Sequence, residues 1–200
     1  MRAKARSYGG EKRQRQRQET RSKLLNVSLR LFVHRGYDGT SVRDIARDAG
    51  VAESLLFHYF PTKLAILEEL TMTAKSGVAS VVEHIKNAQE PLAAFRAIAE
   101  MILGSLKVEH YKNLYLLANQ VFSFDSMPIS VKKALVASQP IDASVPLVLL
   151  GQKKGELRKG DPQALSVAFW GAIQGIAEVL AWNPKASVPD AASVIRILEA

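Results

Sequence analysis

The chain is 200 residues long, 48 % apolar, free of cysteine, and carries a formal net charge of +8. That length can bury a substantial core, and the lack of cysteine excludes disulfides and thiolate metal sites. The charge is localised: the first 63 residues hold 14 Lys and Arg against 6 Asp and Glu, whereas the remainder holds 13 of each. Such an asymmetry marks an anion-facing end, with nucleic acid the commonest partner and an acidic membrane surface the alternative. No apolar signal segment follows the basic N-terminus, so the expected compartment is the cytoplasm.

Met1 to Gln18 contains Arg2, Lys4, Arg6, Lys12, Arg13, Arg15 and Arg17 around Gly9-Gly10, with almost nothing aliphatic to bury. This predicts a basic arm over residues 1–18, disordered alone, that either solubilises the chain or neutralises phosphates. From Glu19 to about Arg35, Leu24, Leu25, Ser28, Leu31 and Phe32 share one helical face, and Gly36 supplies the stop. Tyr37-Asp38-Gly39 forms a turn. Ser41 followed three residues later by Asp44 has the form of a capping box for a second helix, whose buried face is Val42, Ile45, Ala46 and Ala49. Arg43 and Arg47 are left outside.

Gly50 breaks that helix, and Val51, Leu55 or Leu56, Tyr59 and Phe60 begin another apolar set too close by for the two to run in line. A helix-turn-helix is the economical solution, with its second helix placed to enter a major groove. Phe60-Pro61 ends it, and Thr62 is placed to cap a fourth helix from Lys63.

The run GYDGTSVRDIARDAGVAESLLFHYFPTKLAILEEL, preceded by LRLFVHRG, resembles the DNA-binding domain of the tetracycline-repressor (TetR) family over about residues 20–70. The features that match, in order, are Gly36-Tyr37, Thr40-Ser41, Ile45-Ala46, Ala49-Gly50-Val51, His58-Tyr59-Phe60 and Lys63. The resemblance implies an all-α homodimer: a three-helix DNA-binding domain over residues 19–65, then a helical ligand-binding and dimerisation domain over residues 66–200. It also implies double-stranded operator DNA as partner and a small molecule that releases it. By the same resemblance and by exposed placement, Thr40, Ser41, Tyr59 and Lys63 are expected on phosphates. Arg43 is expected on guanine, and Glu53, Ser54, Leu55 and His58 are the candidates for base edges. Two positions depart from the family pattern. Ala52 stands where a Ser or Thr often caps the reading helix, a loss worth about 0.5–2 kcal/mol. Phe57 stands where tyrosine is usual, so its ring can pack on the DNA backbone but donates no hydroxyl hydrogen bond.

Behind the reader, helical spacing predicts helices over Lys63 to about Asn87, Pro91 to about Lys107 and Tyr111 to Phe122, then a break at Asp125-Ser126-Met127-Pro128. Pro140 and Pro146 are expected to fragment the next region, with a helix recovering over Val145 to Glu156. Gln163 to Trp182 is the most apolar helix. Gln174 and Glu178 argue against a membrane span, and Ala168, Gly171, Ala172 and Gly175 form a small-residue strip. With a final helix carrying Ala191 or Ala192, Val194 or Ile195, and Leu198, this strip suggests a two-fold dimer through the last two helices, where the resemblance also places it.

Met72, Phe95, Met101, Tyr111, Tyr115, Phe122, Phe169, Trp170 and Gln174 are the candidates for lining a pocket, and the scarcity of ionisable groups among them points to an apolar or aromatic effector. No cofactor is implied. His34, His58, His84 and His110 fall at no short metal-ligand spacing, and no nucleophile elbow or phosphate loop is present, so neither metal nor catalysis is expected. A basic membrane-surface protein is the rival from another class, and activation the rival within transcription factors.

Overall fold

A computed structural model describes the backbone of residues 2–123, 127–136 and 139–200, and their side chains except those of residues 2–10, 122 and 136. The described residues form helices and no strand beyond an isolated bridge between Leu157 and Glu199. The chain divides into two units between Leu70 and Thr71, inside the helix α4, Lys63–Asn87.

The first unit begins with α1, Arg2–Arg35. Its C-terminal half buries Leu24, Ser28, Leu29, Leu31, Phe32 and Val33, and Gly36 ends it at a φ of 75°. The basic stretch expected to be disordered is instead the N-terminal half of the same helix. Lys, Arg, Gln and Glu are good helix formers, and Arg15 pairs with Glu19 one turn on. Residues 11–19 are nonetheless all exposed, so no tertiary burial reinforces that segment.

Two short helices follow, α2 at Val42–Ala49 and α3 at Glu53–Tyr59. Ile45, Ala46 and Ala49 of α2 and Leu56 of α3 join Leu24, Phe32, Phe60, Ile66 and Leu67 in one core, each large side chain contributing about 1.5–3 kcal/mol. Thr62 caps α4 by accepting the Ala65 amide at 3.0 Å, as the sequence suggests. Arg21 forks onto the Glu69 carboxylate and lies 4.9 Å above the Phe60 ring, which fastens α1 to the start of α4 and the end of α3.

The second unit contains the rest of α4, then α5 (Pro91–Leu106), α6 (Glu109–Ser123), α7 (Ile129–Val136), α8 (Pro140–Lys154), α9 (Pro162–Trp182) and α10 (Ala191–Ile195). Helix α7 is absent from the sequence reading, and the break expected at residues 125–128 lies partly outside the described residues. The expected fragmentation at the prolines is not observed. Pro140 sits in the first turn of α8, where its missing amide would have no helical partner, and the exposed Pro146 is carried inside the helix. Helix α8 packs along α9, and its Gly151 makes room for Leu157 and for Pro91 of α5, into which a Cβ there would press.

The final helix also differs from expectation. Ala191, Val194, Ile195 and Leu198 are buried within this same unit, with α10 packed on α5 and α9. The Arg158 amide donates to the Leu198 carbonyl and Arg96 pairs with Glu199 at 3.0 Å, which ties the C-terminus down. Those apolar residues are therefore not available to a second copy. What remains uncovered is one face of α9, where Val167, Ala168, Gly171, Gly175, Val179 and Trp182 recur at helical spacing, with Leu149 of α8 also exposed.

Candidate nucleic-acid interface

The interface is built from α2 outward. The Ser41 hydroxyl accepts the Asp44 amide at 3.1 Å, and the Asp44 carboxylate accepts the Ser41 amide at 3.1 Å and the Ser41 hydroxyl at 2.5 Å, completing the capping box. These bonds, led by the Ser41 hydroxyl and joined by the Arg47 guanidinium, hold the Asp44 carboxyl below its ordinary range. At the other end Gly50 takes a left-handed conformation, φ 64°, and its amide and that of Val51 close on Arg47 and Ala46 carbonyls. Helix α2 is fixed at both termini by local chemistry.

The basic side chains of α2 are not equivalent. Arg47 pairs with Asp44 at 2.7 Å and Asp48 at 3.4 Å, and Asp48 also receives Arg30 of α1 at 3.2 Å. Arg43, one turn before Arg47 on the same side and exposed, has no ion pair or hydrogen bond among the described residues. Periodicity alone puts both arginines outside. The acids on α2 are what distinguish them, and the i, i+3 relation of Asp44 to Arg47 is a signal the sequence did carry.

Helix α3 is held differently. Ala52 occupies its N-cap position with no side-chain bond, as expected, and Leu56 is its buried residue. At 100° per residue Ser54 and His58 stand opposite Leu56, flanked by Leu55 and Phe57. All four are exposed, Phe57 to 48 %, as is Glu53. The His58 ring meets Tyr59 edge-on at 5.6 Å, and Tyr59 is half-buried. The structure thus brings Arg43, Glu53, Ser54, Leu55, Phe57 and His58 to the exposed sides of two consecutive helices.

Two candidates fall elsewhere. Thr40 is 1 % exposed, and its hydroxyl donates to the Gly36 carbonyl at 2.9 Å and more weakly to that of Leu31 at 3.3 Å, so it faces inward. Lys63 donates to the Tyr37 and Thr40 carbonyls at 2.8 and 3.0 Å. Both residues hold the turn before α2, and since the partners lie up to 26 positions apart, helical spacing could not reveal it.

The pocket candidates differ in their surroundings. Phe95, Phe169 and Trp170 form an edge-to-face aromatic cluster, with centroids 5.1 and 5.2 Å apart, and the Trp170 indole donates to Ser144 at 2.9 Å. Met72, Met101 and Tyr111 are exposed. Burial pushes the Tyr115 phenol up to about 12, with Asn119 opposing and Glu178 adding to the rise, so Tyr115 is a neutral donor. Gln174 donates to Glu178 at 3.0 Å, and the side chain of Phe122 lies outside the described residues. A shallow groove between Glu90 and Glu100 of about 370 Å³ contains none of these candidates. Sequence reading missed Asn113 and Ser166, whose Oδ1 and Oγ atoms are buried with no partner among the described residues.

Comparison with known proteins places this geometry. Residues 24–70 match the family described as bacterial regulatory proteins, tetR family. The chain is 31 % identical to the HTH-type transcriptional regulator AcrR of Shigella flexneri over 105 residues, 52 % of this chain, and so spans about half (49 %) of that relative's length. It is 29 % identical over 177 residues to the HTH-type transcriptional regulator RutR of Escherichia coli K12, covering 84 % of this chain and 78 % of RutR. The fold resembles that of AibR, solved in complex with isovaleryl coenzyme A and operator DNA, with a TM-score of 0.65 and 15 % identity over 88 % of this chain and 94 % of that one. A helix-turn-helix at α2 and α3, lying inside the matched residues, gives residues 24–70 the arrangement of a tetR-family DNA-binding domain, followed here by a helical body.

Proposed function

We propose that the chain is a ligand-responsive repressor that binds a palindromic operator as a homodimer and leaves it when a small, largely apolar effector binds the second unit. The observation that carries the DNA part is the contrast on the reader's surface. Arg43 is exposed and unpaired beside an α3 that presents Ser54, Leu55 and His58 outward, while the neighbouring Arg30 and Arg47 are neutralised. An unpaired guanidinium loses no internal partner when it forks onto a guanine, and Leu55 is suited to a thymine methyl. Glu53 is placed to accept from a cytosine amino group or to stabilise the α3 N-terminus. Ser41, Phe57 and Tyr59 are assigned to the phosphate backbone, and Lys12, Arg13 and Arg17 on the exposed half of α1 add sequence-independent grip.

The uncovered face of α9, centred on Gly171 and ending at Trp182, which is 74 % exposed, supports a two-fold contact between copies. Such a dimer would present two readers to half-sites about 34–36 Å apart or a multiple of that spacing. Met72, Phe95, Met101, Tyr111, Tyr115, Phe169, Trp170 and Gln174 remain the proposed effector contacts, the Phe95, Phe169 and Trp170 cluster favouring an apolar or aromatic molecule. AibR, solved with both operator DNA and an acyl coenzyme A, supports the expectation of two ligands. The place of action is the cytoplasm, where a bacterial operator is accessible.

The test is selection of binding sites from random duplex DNA by the purified protein, repeated with a small-molecule panel. Enrichment of an inverted repeat whose binding one class of molecule abolishes is the expected result. Enrichment of no sequence over random DNA would overturn the reading.

A further inference from the structure

Lys63 opens α4, and its ammonium is engaged from within the first unit. Its Nζ donates to the Tyr37 carbonyl at 2.8 Å and the Thr40 carbonyl at 3.0 Å, and lies 4.0 Å from the centroid of the Tyr37 ring. Burial, with Asp38 and Glu68 adding to it, raises the Tyr37 phenol above its ordinary range, so the ring faces the cation in its neutral form.

Both carbonyls belong to the turn that joins α1 to α2. That turn carries Gly36 at a φ of 75° and Gly39, where a Cβ would collide with the Arg35 carbonyl. Two glycines make the turn possible but leave it many alternatives when unfolded, so something must select this one. The Thr40 amide and hydroxyl bond back to Tyr37 and Gly36, and Lys63 crosses from α4 to clamp the same carbonyl of Tyr37 and that of Thr40. Thr40 immediately precedes Ser41, the cap of α2.

We propose that Lys63 is a positioning residue: its ammonium, held by the Tyr37 and Thr40 carbonyls and the Tyr37 ring, sets where α2 begins relative to α4, in place of gripping a phosphate. The proposal rests on the DNA-binding reading for its functional consequence, but its structural part is testable without DNA. Helix α2 carries Arg43, so a displaced N-terminus moves the guanidinium off its base.

The experiment compares Lys63→Met and Lys63→Gln with the parent protein by amide exchange in the absence of DNA and by operator binding across a salt series. In Lys63→Met, exchange at Thr40 and in the first turn of α2 should quicken. Operator affinity should weaken about tenfold, the loss of roughly one charged hydrogen bond. The slope of log affinity against log salt should fall by much less than the roughly 0.9 that accompanies loss of one phosphate contact. Combined with Tyr37→Leu, the loss should be smaller than the sum of the two single losses. A slope lowered by about 0.9 in either variant, or unchanged exchange in free Lys63→Met, would overturn the proposal. If Lys63→Met does not fold, Lys63→Gln decides alone, since its amide can still donate to a carbonyl without carrying charge: it should keep most of the turn protection and the salt slope. Should the parent protein select no DNA sequence, the functional reading falls while the exchange comparison still judges the role of Lys63 in the turn.

Discussion

Helices α2 and α3 are neighbours of nearly equal length, yet they are stabilised by different means. Helix α2 has a reciprocal capping box, a left-handed glycine at its end and three ion pairs along its flank. Helix α3 has an uncapped start at Ala52 and one fully buried side chain, Leu56, with Phe60 just beyond its end. The first is set by its own chemistry, and the second depends on an anchor into the core. On the proposed function, α3 leaves its outward polar groups free for bases, and α2 supplies the fixed frame against which it is held.

The largest disturbance of this contrast should come from Leu56→Ala. Removing the anchor is expected to lower unfolding free energy by about 2–5 kcal/mol in denaturant titration, with α3 amides losing protection before those of α2. Ser41→Ala attacks the other side of the comparison and should cost about 0.5–2 kcal/mol, since it removes one half of the box and releases Asp44. Ala52→Ser should reverse the asymmetry, adding about 0.5–1 kcal/mol of stability and slowing exchange in the first turn of α3.

A smaller effect should appear with pH. The Asp44 carboxyl is held below its ordinary value of 3.8 in the folded chain, so its contribution is complete above the unfolded value and is lost as pH falls through the lower folded value. Acid titration of the parent protein against Asp44→Asn should show that the two stability curves converge only below that range. The least change is expected from Phe57→Tyr, which leaves stability within about 0.5 kcal/mol while tightening operator binding by restoring a hydroxyl on an exposed ring.

Much of this was legible in the sequence, and the parts that were not share a cause. Helix α4 was bounded correctly because proline at 61, Thr62 and an apolar period speak to its start locally. The α2 capping box and the missing α3 cap were readable for the same reason. Thr40 and Lys63 face internal partners that lie 4 to 26 residues away across a turn, and no local pattern encodes that. Helix α7 is only eight residues long between prolines, too short for periodicity to show. Residues Ala191 to Leu198 were apolar enough to suggest an interface, but only the packing of α10 on α5 shows that they fill the core of their own unit.

On the proposed function, Arg43 and the outward face of α3 read sequence while the other basic side chains around them supply grip. Measuring affinity of a Ser54→Ala, His58→Ala double variant for the selected operator and for random duplex tests it most directly. The predicted result is a drop of about tenfold or more in the ratio of operator to random-DNA affinity, with random-DNA affinity and its salt dependence unchanged. An unchanged ratio, with the variant folded as the parent protein is, would show that this face of α3 does not read bases.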